Sequence, residues 1–381
     1  MSAPRCHACG AERPVVVPGF ASFRRVTSDC KPWPAGGGLA VCASCGLAQA
    51  VLDRAWHGDA KAIYDSYTIY HTSGGAEQSV FDPQSGQATS RSTRLVQRLA
   101  SGVAVPARGR LLDVGCGNGA FLRAFGGAWP QWSLTGAEVN DHNRAAVESI
   151  PGVEQLFVGD ALDVPGRFDL ISLVHVLEHI PGPSEFLRKL HEKLEPGGLL
   201  LVEVPDCEAN AFMLLVADHA SHFFLATLHE RVTAAGFEVI AAANNWVAKE
   251  LTLVARRNES PASAAPSTAD ALDQVRARVR WLEHIVATTR EFSKSPGFGL
   301  FGTSIAATWL FAELDGRVDF FVDEDPHRIG RQHLGRPVLA PSDVTSGASV
   351  FLALPPFLAR PIAGRLASLP VRWHFPDGEP V

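Results

Sequence analysis

Two pairs of cysteines near the start of the chain have the spacing of a metal site. Cys6 and Cys9 form one C-x-x-C, Cys42 and Cys45 form another, and a glycine directly follows each pair. Two such thiolate turns can supply four tetrahedral sulfur ligands to Zn²⁺, and the glycine tolerates the positive φ of the turn. A redox pair or free thiols are the alternative. We expect a closed, structural zinc site, because so small a module cannot fold on core burial alone.

A glycine-rich turn follows a predicted strand in the middle of the chain. The segment Arg110–Leu122 reads RLLDVGCGNGAFL, in which a β-type run is followed by Asp113, Gly115, Gly117 and Gly119. Glycines let the backbone turn sharply and approach a ligand at the carboxyl end of a strand, where open α/β sheets bind ligands. Such a loop alone also fits a dinucleotide site.

Further acidic residues follow the next predicted strands. WSLTGAEV predicts a second strand with Glu138 at its end, placed to accept hydrogen bonds from ribose hydroxyls. Asp160 and Ala161 follow a third strand, and Asp160 is of a type that binds an adenine amino group. FDLISLV and EPGGLLLVEVP predict strands four and five, with helical patterns between them. This alternation is typical of a parallel sheet with crossover helices.

His175, Glu178 and His179 spell H-x-x-E-H, a pattern found in zinc peptidases. Peptidase chemistry requires both histidines on one face of a long helix. Here the pattern falls where strand four should end, and Pro181 and Pro183 follow immediately. We therefore reject a peptidase. Three interpretations of the loop stay open. Glu178 and His179 could line the cofactor or cap the next helix, His179 could act in acid–base chemistry, or the loop could hold a second metal.

The ordered set of loops resembles the class I S-adenosylmethionine (SAM)-dependent methyltransferases over about 150 residues. The matching elements are the D-x-G-x-G-x-G loop, the acidic end of strand two, the G-D-A turn and the L-x-P-G-G-x-L before strand five. The resemblance implies that SAM is the cofactor. It implies the following binding residues: Asp113, Gly115, Gly117 and Gly119 at the methionine end, Glu138 at the ribose, Asp160 and Ala161 at the adenine, and His175 nearby.

Nearly the whole chain is similar to the zinc-containing sugar C-methyltransferases of deoxysugar biosynthesis. Beyond the cysteine pairs, the similarity lies in YTIYHTSG and in LVADHASHFFLATL. It implies that His219 is a general base oriented by Asp218, with His179 and Tyr70 near the reacting carbonyl. A histidine suits proton removal beside a ketone, and a tyrosine or second histidine suits stabilisation of the enolate oxygen.

Other interpretations of these residues remain open. Asp218 and His219 could instead cap or enter the helix that follows, since Asp is a favoured N-cap. The spacing of Tyr67 and Tyr70 and the presence of Val216 depart from the sugar-enzyme pattern. The same His–Asp pair would serve an O-methyltransferase acting on a hydroxyl of a glycan precursor or secondary metabolite. A SAM-binding protein without catalysis is a third possibility.

Composition limits the class of protein. The chain has 381 residues, 46% of them hydrophobic, and a net charge of −6, which argues against a nucleic-acid partner. It has neither a run of about 20 apolar residues nor a signal pattern at its start, so we expect a cytoplasmic protein without a membrane partner. The expected partner is a small molecule, a nucleotide-linked sugar, bound to a monomer or homodimer.

The predicted fold is α/β with several units. These are a zinc-binding module (1–60), a Tyr-rich helical cap (61–105), a doubly wound Rossmann-like methyltransferase domain (106–257), a linker with an amphipathic helix (258–290), and a smaller Rossmann-like domain (291–381). The helix is predicted from the spacing of Leu272, Val275, Val279, Leu282 and Val286. The last unit starts as strand, glycine turn and helix, and Asp323 follows its second strand. We expect it to be a non-catalytic wall of the substrate cleft rather than a dehydrogenase.

Overall fold

The computed structural model describes residues 5–69, 71–77, 79–81, 87–258 and 270–376. These residues form a mixed α/β fold, and the largest sheet is mostly parallel. The prediction of an α/β fold is therefore confirmed. Tyr70 and residues 259–269 of the expected linker lie outside the described residues. None of the described helices combines the length and apolar character needed to cross a membrane.

A small antiparallel sheet begins the chain. The first elements are β1 (Val15–Val16), β2 (Arg25–Val26), β3 (Pro32–Trp33), β4 (Leu39–Val41), β5 (Ala48–Ala50) and helix α1 (Arg54–Asp65). The sheet runs β1, β4, β5 and then Ser221–His222, a strand from far along the chain. Asp53 caps the start of α1 by accepting a hydrogen bond from Trp56 N. The helix continues from there to Asp65, so it crosses the boundary that we expected between residues 60 and 61.

A hairpin and a helix lead into the large sheet. They are β6 (Ser79–Phe81), β7 (Ala88–Ser90) and α2 (Arg91–Gly102). The Ser90 side chain accepts a hydrogen bond from Thr93 N and so caps α2. Leu95, Val96 and Leu99 face the core at helical spacing. The predicted cap segment, 61–105, thus contains a helix.

The large sheet has seven strands. Its elements are β8 (Gly109–Val114), α3 (Ala120–Ala128), β9 (Trp132–Glu138), α4 (Arg144–Glu148), β10 (Val153–Val158), β11 (Phe168–Val174), α5 (Pro183–Lys193), β12 (Leu194–Pro205), β13 (Ser221–His222, in the N-terminal sheet), α6 (Leu225–Ala234), β14 (Phe237–Ala243) and β15 (Glu250–Arg257). The order is β10-β9-β8-β11-β12-β15-β14. Strands β8 to β12 are parallel, and β15 is antiparallel to both of its neighbours, β12 and the edge strand β14. The turns after β8, β9 and β11 therefore meet at one edge of the sheet.

A second parallel sheet ends the chain. Its elements are α7 (Ala271–Phe292), β16 (Phe298–Phe301), α8 (Ile305–Glu313), β17 (Phe320–Val322), β18 (Gln332–His333), β19 (Arg336–Leu339), β20 (Ser349–Leu352), α9 (Pro356–Arg365) and β21 (Arg372–His374). The order is β18-β19-β17-β16-β20-β21, with β18 antiparallel. Short 3-10 helices lie at Phe20–Ser22, His71–Ser73, Ala161–Asp163, Leu177–His179, Ala211–Leu215 and Pro341–Asp343.

One apolar core joins the three parts of the chain. The fully buried Trp309 of α8 contacts Phe23 of the N-terminal module at 5.9 Å between ring centroids and Phe212, after β12, at 5.8 Å. Helix α7 contributes Val279 and Leu282 to the same core. The amphipathic helix predicted from sequence is present and packs between the other units.

Trp309→Ala should lower the free energy of unfolding by about 3–5 kcal/mol, because it leaves a cavity where three segments meet. Denaturant unfolding followed by circular dichroism measures this change. Phe357→Ala is the control, since Phe357 is 43% exposed, and it should change stability by less than about 0.5 kcal/mol. Equal losses in the two variants would contradict the role of Trp309.

Candidate active site

The glycine turn and the acid after β9 are directly bonded to each other. Gly115, Gly117 and Gly119 all have positive φ, and the backbone N–H of Gly117 donates to Oε1 of Glu138 at 2.9 Å. A Cβ at Gly117 would lie 2.3 Å from Cδ1 of Ile69, so a side chain at this position would clash. The turn therefore needs glycine, and Ile69 covers it.

Asp113 is buried inside the sheet. Its carboxylate accepts a hydrogen bond from Ser172 Oγ of β11 at 2.7 Å, and burial raises its pKa to about 7 despite that bond. This bond links β8 to β11. Contact between Asp113 and a cofactor stays a prediction. Asp160 accepts from Leu162 N at 2.9 Å at the start of a 3-10 helix, next to the buried Ala161.

His175 lies just beyond β11 among buried carboxylates. It has φ of 55°, a conformation rarely taken by residues other than glycine. Its Nδ1 is 3.3 Å from Glu178, and its Nε2 is 3.8 Å from Glu203 and 3.5 Å from Glu250. Burial raises the pKa of Glu203 to about 7 and lowers the pKa of His175 to about 4. The sequence did not indicate that Glu203 and Glu250 lie at this site, because they belong to two different strands, β12 and β15.

The H-x-x-E-H pattern does not lie on a long helix. Leu177–His179 is a single 3-10 turn, and α5 begins only at Pro183. A peptidase arrangement is therefore excluded, as the two prolines predicted. Both carboxylate oxygens of Glu178 are buried without a hydrogen-bond partner among the described residues.

Asp218 is paired with His179, which differs from the expectation that it orients His219. Oδ2 of Asp218 is 3.4 Å from Nδ1 of His179, and the carbonyl oxygen of Asp218 is 3.2 Å from the same nitrogen. Ser28 donates from its backbone N–H to Oδ1 at 2.9 Å and from its hydroxyl to Oδ2 at 2.5 Å. The sequence could not indicate Ser28, which is 190 residues away.

The two central histidines have opposite pKa shifts. Burial acts to lower the pKa of His179, but the hydrogen bond and charge of Asp218 outweigh it and raise that pKa to about 9. Burial, together with the charge of His179, lowers the pKa of His219 well below its ordinary value. The ring centroids are 4.7 Å apart, and one nitrogen of each histidine and a Glu178 oxygen lie within 4.8 Å of one another. Near neutral pH, His179 is therefore cationic and His219 neutral.

A tyrosine of α1 completes the wall around His179. The Tyr64 ring centroid is 6.1 Å from that of His179, and burial raises the pKa of the phenol. Tyr70 was the tyrosine expected here, and it lies outside the described residues. Tyr64 belongs to the same tyrosine-containing run. The composition of that run therefore indicated the correct segment of the chain, but its spacing did not indicate Tyr64 in particular.

Known proteins match the central part of the chain. A family described as a methyltransferase domain matches residues 86–242, a span that contains the glycine turn, Glu138 and both His175 and His179. This match confirms the prediction of a methyltransferase domain in this part of the chain, and it supports the prediction that the chain is a SAM-dependent methyltransferase.

The curated relatives match about a third of this chain or less. A ubiquinone biosynthesis O-methyltransferase of Pseudomonas aeruginosa is 28% identical over 119 residues, covering 28% of this chain and 49% of that protein. A trans-aconitate 2-methyltransferase of Deinococcus radiodurans is 34% identical over 133 residues, covering 33% and 46%. The chain thus spans about half the length of the curated relatives it matches. The crystal structure of CalO1, a methyltransferase in calicheamicin biosynthesis, is 21% identical, covers 42% of this chain and 52% of that chain, and has a TM-score of 0.35.

The four cysteines lie outside the methyltransferase domain and close together. The Sγ atoms of Cys6 and Cys45 are 3.7 Å apart, those of Cys9 and Cys42 are 3.6 Å apart, and all four fall within 4.8 Å of one another. Tetrahedral zinc with Zn–S bonds of about 2.3 Å places its sulfur atoms about 3.8 Å apart. None of the four forms a disulfide. The donor set therefore fits a four-sulfur zinc site.

A cleft separates the methyltransferase domain from the C-terminal sheet. Its volume is about 840 Å³ including the open mouth. Both sides contribute to its lining, which includes Arg91, Lys249, Glu250, Gly302, Asp323 and Arg328. Asp323, the acid after β17, already accepts from Thr303 Oγ1 at 2.9 Å and lies 3.3 Å from Arg328. The expectation that this unit is a non-catalytic wall of the substrate cleft rather than a dehydrogenase stays a prediction.

Cys45→Ser should abolish metal binding at the four-cysteine cluster, because a serine hydroxyl is a poor zinc ligand. Metal content of the purified protein, measured by inductively coupled plasma mass spectrometry, should fall from one zinc per chain to almost none. Cys30→Ser is the matched control, since Cys30 is in the same module but outside the cluster. Zinc retained in Cys45→Ser, or no zinc in the unmodified protein, would contradict the assignment.

Proposed function

We propose that this protein transfers a methyl group from SAM to a carbon beside the ketone of a nucleotide-linked deoxysugar. The observation that carries the proposal is the pair of His179 and His219, with rings 4.7 Å apart and opposite pKa shifts. Two adjacent groups held in different protonation states are the usual arrangement for an acid and a base acting together.

The residues at the carboxyl edge of the large sheet fit SAM. The turn at Gly117 leaves no room for a side chain, and Glu138, whose Oε1 accepts from that turn, stands at the end of β9 where a ribose would bind. Asp160 and Ala161 would contact the adenine, and Gly115 and Gly119 the methionine end. When bound, SAM supplies an activated methyl group on its sulfonium. The protein must then position the acceptor and remove its proton.

Neutral His219 is suited to remove the proton from the carbon beside the ketone. The electrons left behind move into the carbonyl, and the new negative charge develops on its oxygen. Cationic His179, held by Asp218, would donate a hydrogen bond to that oxygen and stabilise the enolate. The enolate carbon then attacks the methyl group. Asp218 therefore acts through His179, and His219 needs no carboxylate because its task requires the neutral imidazole.

The cleft beside the C-terminal sheet would hold the nucleotide diphosphate carrier. The feature that supports a phosphate there is the start of α8, which follows the open turn at Gly302. The charged side chains of the lining are of both signs: the basic Arg91, Lys249 and Arg328 and the acidic Glu250, Asp323, Glu324 and Asp325. Backbone N–H groups at a helix start favour phosphate. Lys249 has φ of 72°, a strained conformation of the kind found at ligand sites. The four-cysteine module would hold a structural zinc ion.

O-methylation of a hydroxyl is the second candidate. It is supported by the names of the relatives, which include a ubiquinone biosynthesis O-methyltransferase. His219 would then take the proton of the hydroxyl, and His179 would have no enolate oxygen to stabilise. The two candidates differ in whether the acceptor must contain a carbonyl group.

His219→Asn should lower kcat for methyl transfer by about 100-fold or more, because no base remains for the carbon-bound proton. SAM affinity, measured by calorimetry, should be nearly unchanged, since His219 is not among the residues proposed to bind SAM. His229→Asn, an exposed histidine on α6, is the control and should retain full activity. Turnover of His219→Asn at the unmodified rate would contradict the proposal.

The rate should fall as pH rises through about 9, because His179 must be protonated and its pKa is raised to about 9. Asp218→Asn removes the charge responsible, so the pKa of His179 should fall toward its ordinary value of about 6.5. The alkaline limb of the kcat–pH profile should then move down by about 2 units. Asp163→Asn, at an exposed carboxylate, should leave it in place. An unmoved limb in Asp218→Asn would exclude this role for the pair.

A further inference from the structure

Ser28 binds both oxygens of the Asp218 carboxylate. Its backbone N–H donates to Oδ1 at 2.9 Å, and its hydroxyl donates to Oδ2 at 2.5 Å. Oδ2 is also the oxygen that faces Nδ1 of His179 at 3.4 Å. Two donors thus converge on one oxygen of a carboxylate that is fully buried.

The segment around Asp218 is fixed to the N-terminal module on both sides. Before it, Ala217 N donates to the carbonyl of Val26 at 2.8 Å. After it, Ala50 N donates to the carbonyl of Ala220 at 3.0 Å, and β13 continues the sheet of β5. His7, inside the first C-x-x-C turn, reaches the same Ala220 carbonyl with Nε2 at 2.9 Å. Ser28 and Asp218 are therefore held in register by backbone bonds that do not involve the serine hydroxyl.

We propose that Ser28 is a positioning residue that holds Asp218 ionised and aimed at His179, and so sets the basicity of that histidine. The inference rests on the proposed function, which gives His179 its role in stabilising the enolate, but its test does not need the methyl acceptor. It assigns the N-terminal module a part in the chemistry of the methyltransferase domain.

The charges around the pair agree with this role. Burial alone would raise the pKa of Asp218, but the bond and charge of His179 and the two bonds from Ser28 hold it below its ordinary value. The other titratable groups that face the pair come from several elements: Tyr64 of α1, His175 and Glu178 after β11, His219 beside Asp218, and Asp29 and Cys30 beside Ser28. Ser28 stands out among these neighbours because it stabilises the charged carboxylate by hydrogen bonds and does not itself titrate.

Removing the serine hydroxyl has a defined electrostatic consequence. Oδ2 loses a donor and carries more of the negative charge, so it attracts the proton on His179 more strongly. The pKa of His179 should therefore rise further in Ser28→Ala, by about 0.5 to 1 unit. A serine that only fills space would change stability without changing the titration of the histidine.

Nuclear magnetic resonance titration of ¹⁵N-labelled histidines in the full-length protein measures this shift. The His179 signal is assigned by its loss in His179→Gln. We expect its pKa to rise in Ser28→Ala, to return to the original value in Ser28→Thr, which keeps a hydroxyl, and to be unaffected in Ser22→Ala, an exposed serine of the same module whose hydroxyl bonds Gly19.

Ser28→Gly keeps the backbone donor and replaces Ser28→Ala if the latter does not fold. An unchanged or lowered pKa of His179 in whichever hydroxyl-free variant folds would overturn the proposal, as would failure of Ser28→Thr to restore it. Absence of methyl transfer to any ketosugar would count against the proposed function and leave this result standing.

Discussion

The buried carboxylate of Asp218 is the interaction on which the arrangement of the site depends. A charge with no exposure to water is tolerated only when it is paired and hydrogen-bonded. Here the required partners come from two places, Ser28 in the N-terminal module and His179 beyond β11. The carboxylate therefore ties the two parts of the chain together and also makes His179 cationic, so the same contact serves structure and chemistry.

The large sheet and the N-terminal module contribute different halves of the site. The parallel strands bring the glycine turn, Glu138 and His175 to one edge, as parallel sheets do with the loops after their strands. The N-terminal sheet takes β13 as its edge strand and so places Asp218 and His219 over that edge. Zinc at the four cysteines would stabilise the module whose His7 contacts the same segment.

Local signals in the sequence predicted much of the fold. The glycine turn after β8, the acid after β9, helix α7 and the cysteine cluster follow from spacing alone, because each is decided within a few residues or by simple periodicity. Helix α3 begins at Ala120, after Gly119 with its positive φ. The partner of Asp218 could not be predicted, because Ser28, His179 and Tyr64 meet only through long-range packing. The cluster of His175 with Glu203 and Glu250 was missed for the same reason.

The most direct test of the account is turnover of the purified protein with SAM and a panel of nucleotide-linked 4-ketosugars in heavy water, followed by mass spectrometry. The account predicts one product that gains a methyl group, with deuterium exchange of the unmethylated sugar at the carbon beside the ketone that depends on His219. If no ketosugar gains a methyl group or exchanges deuterium while SAM is bound, the enolate account is contradicted and a hydroxyl acceptor becomes the favoured candidate.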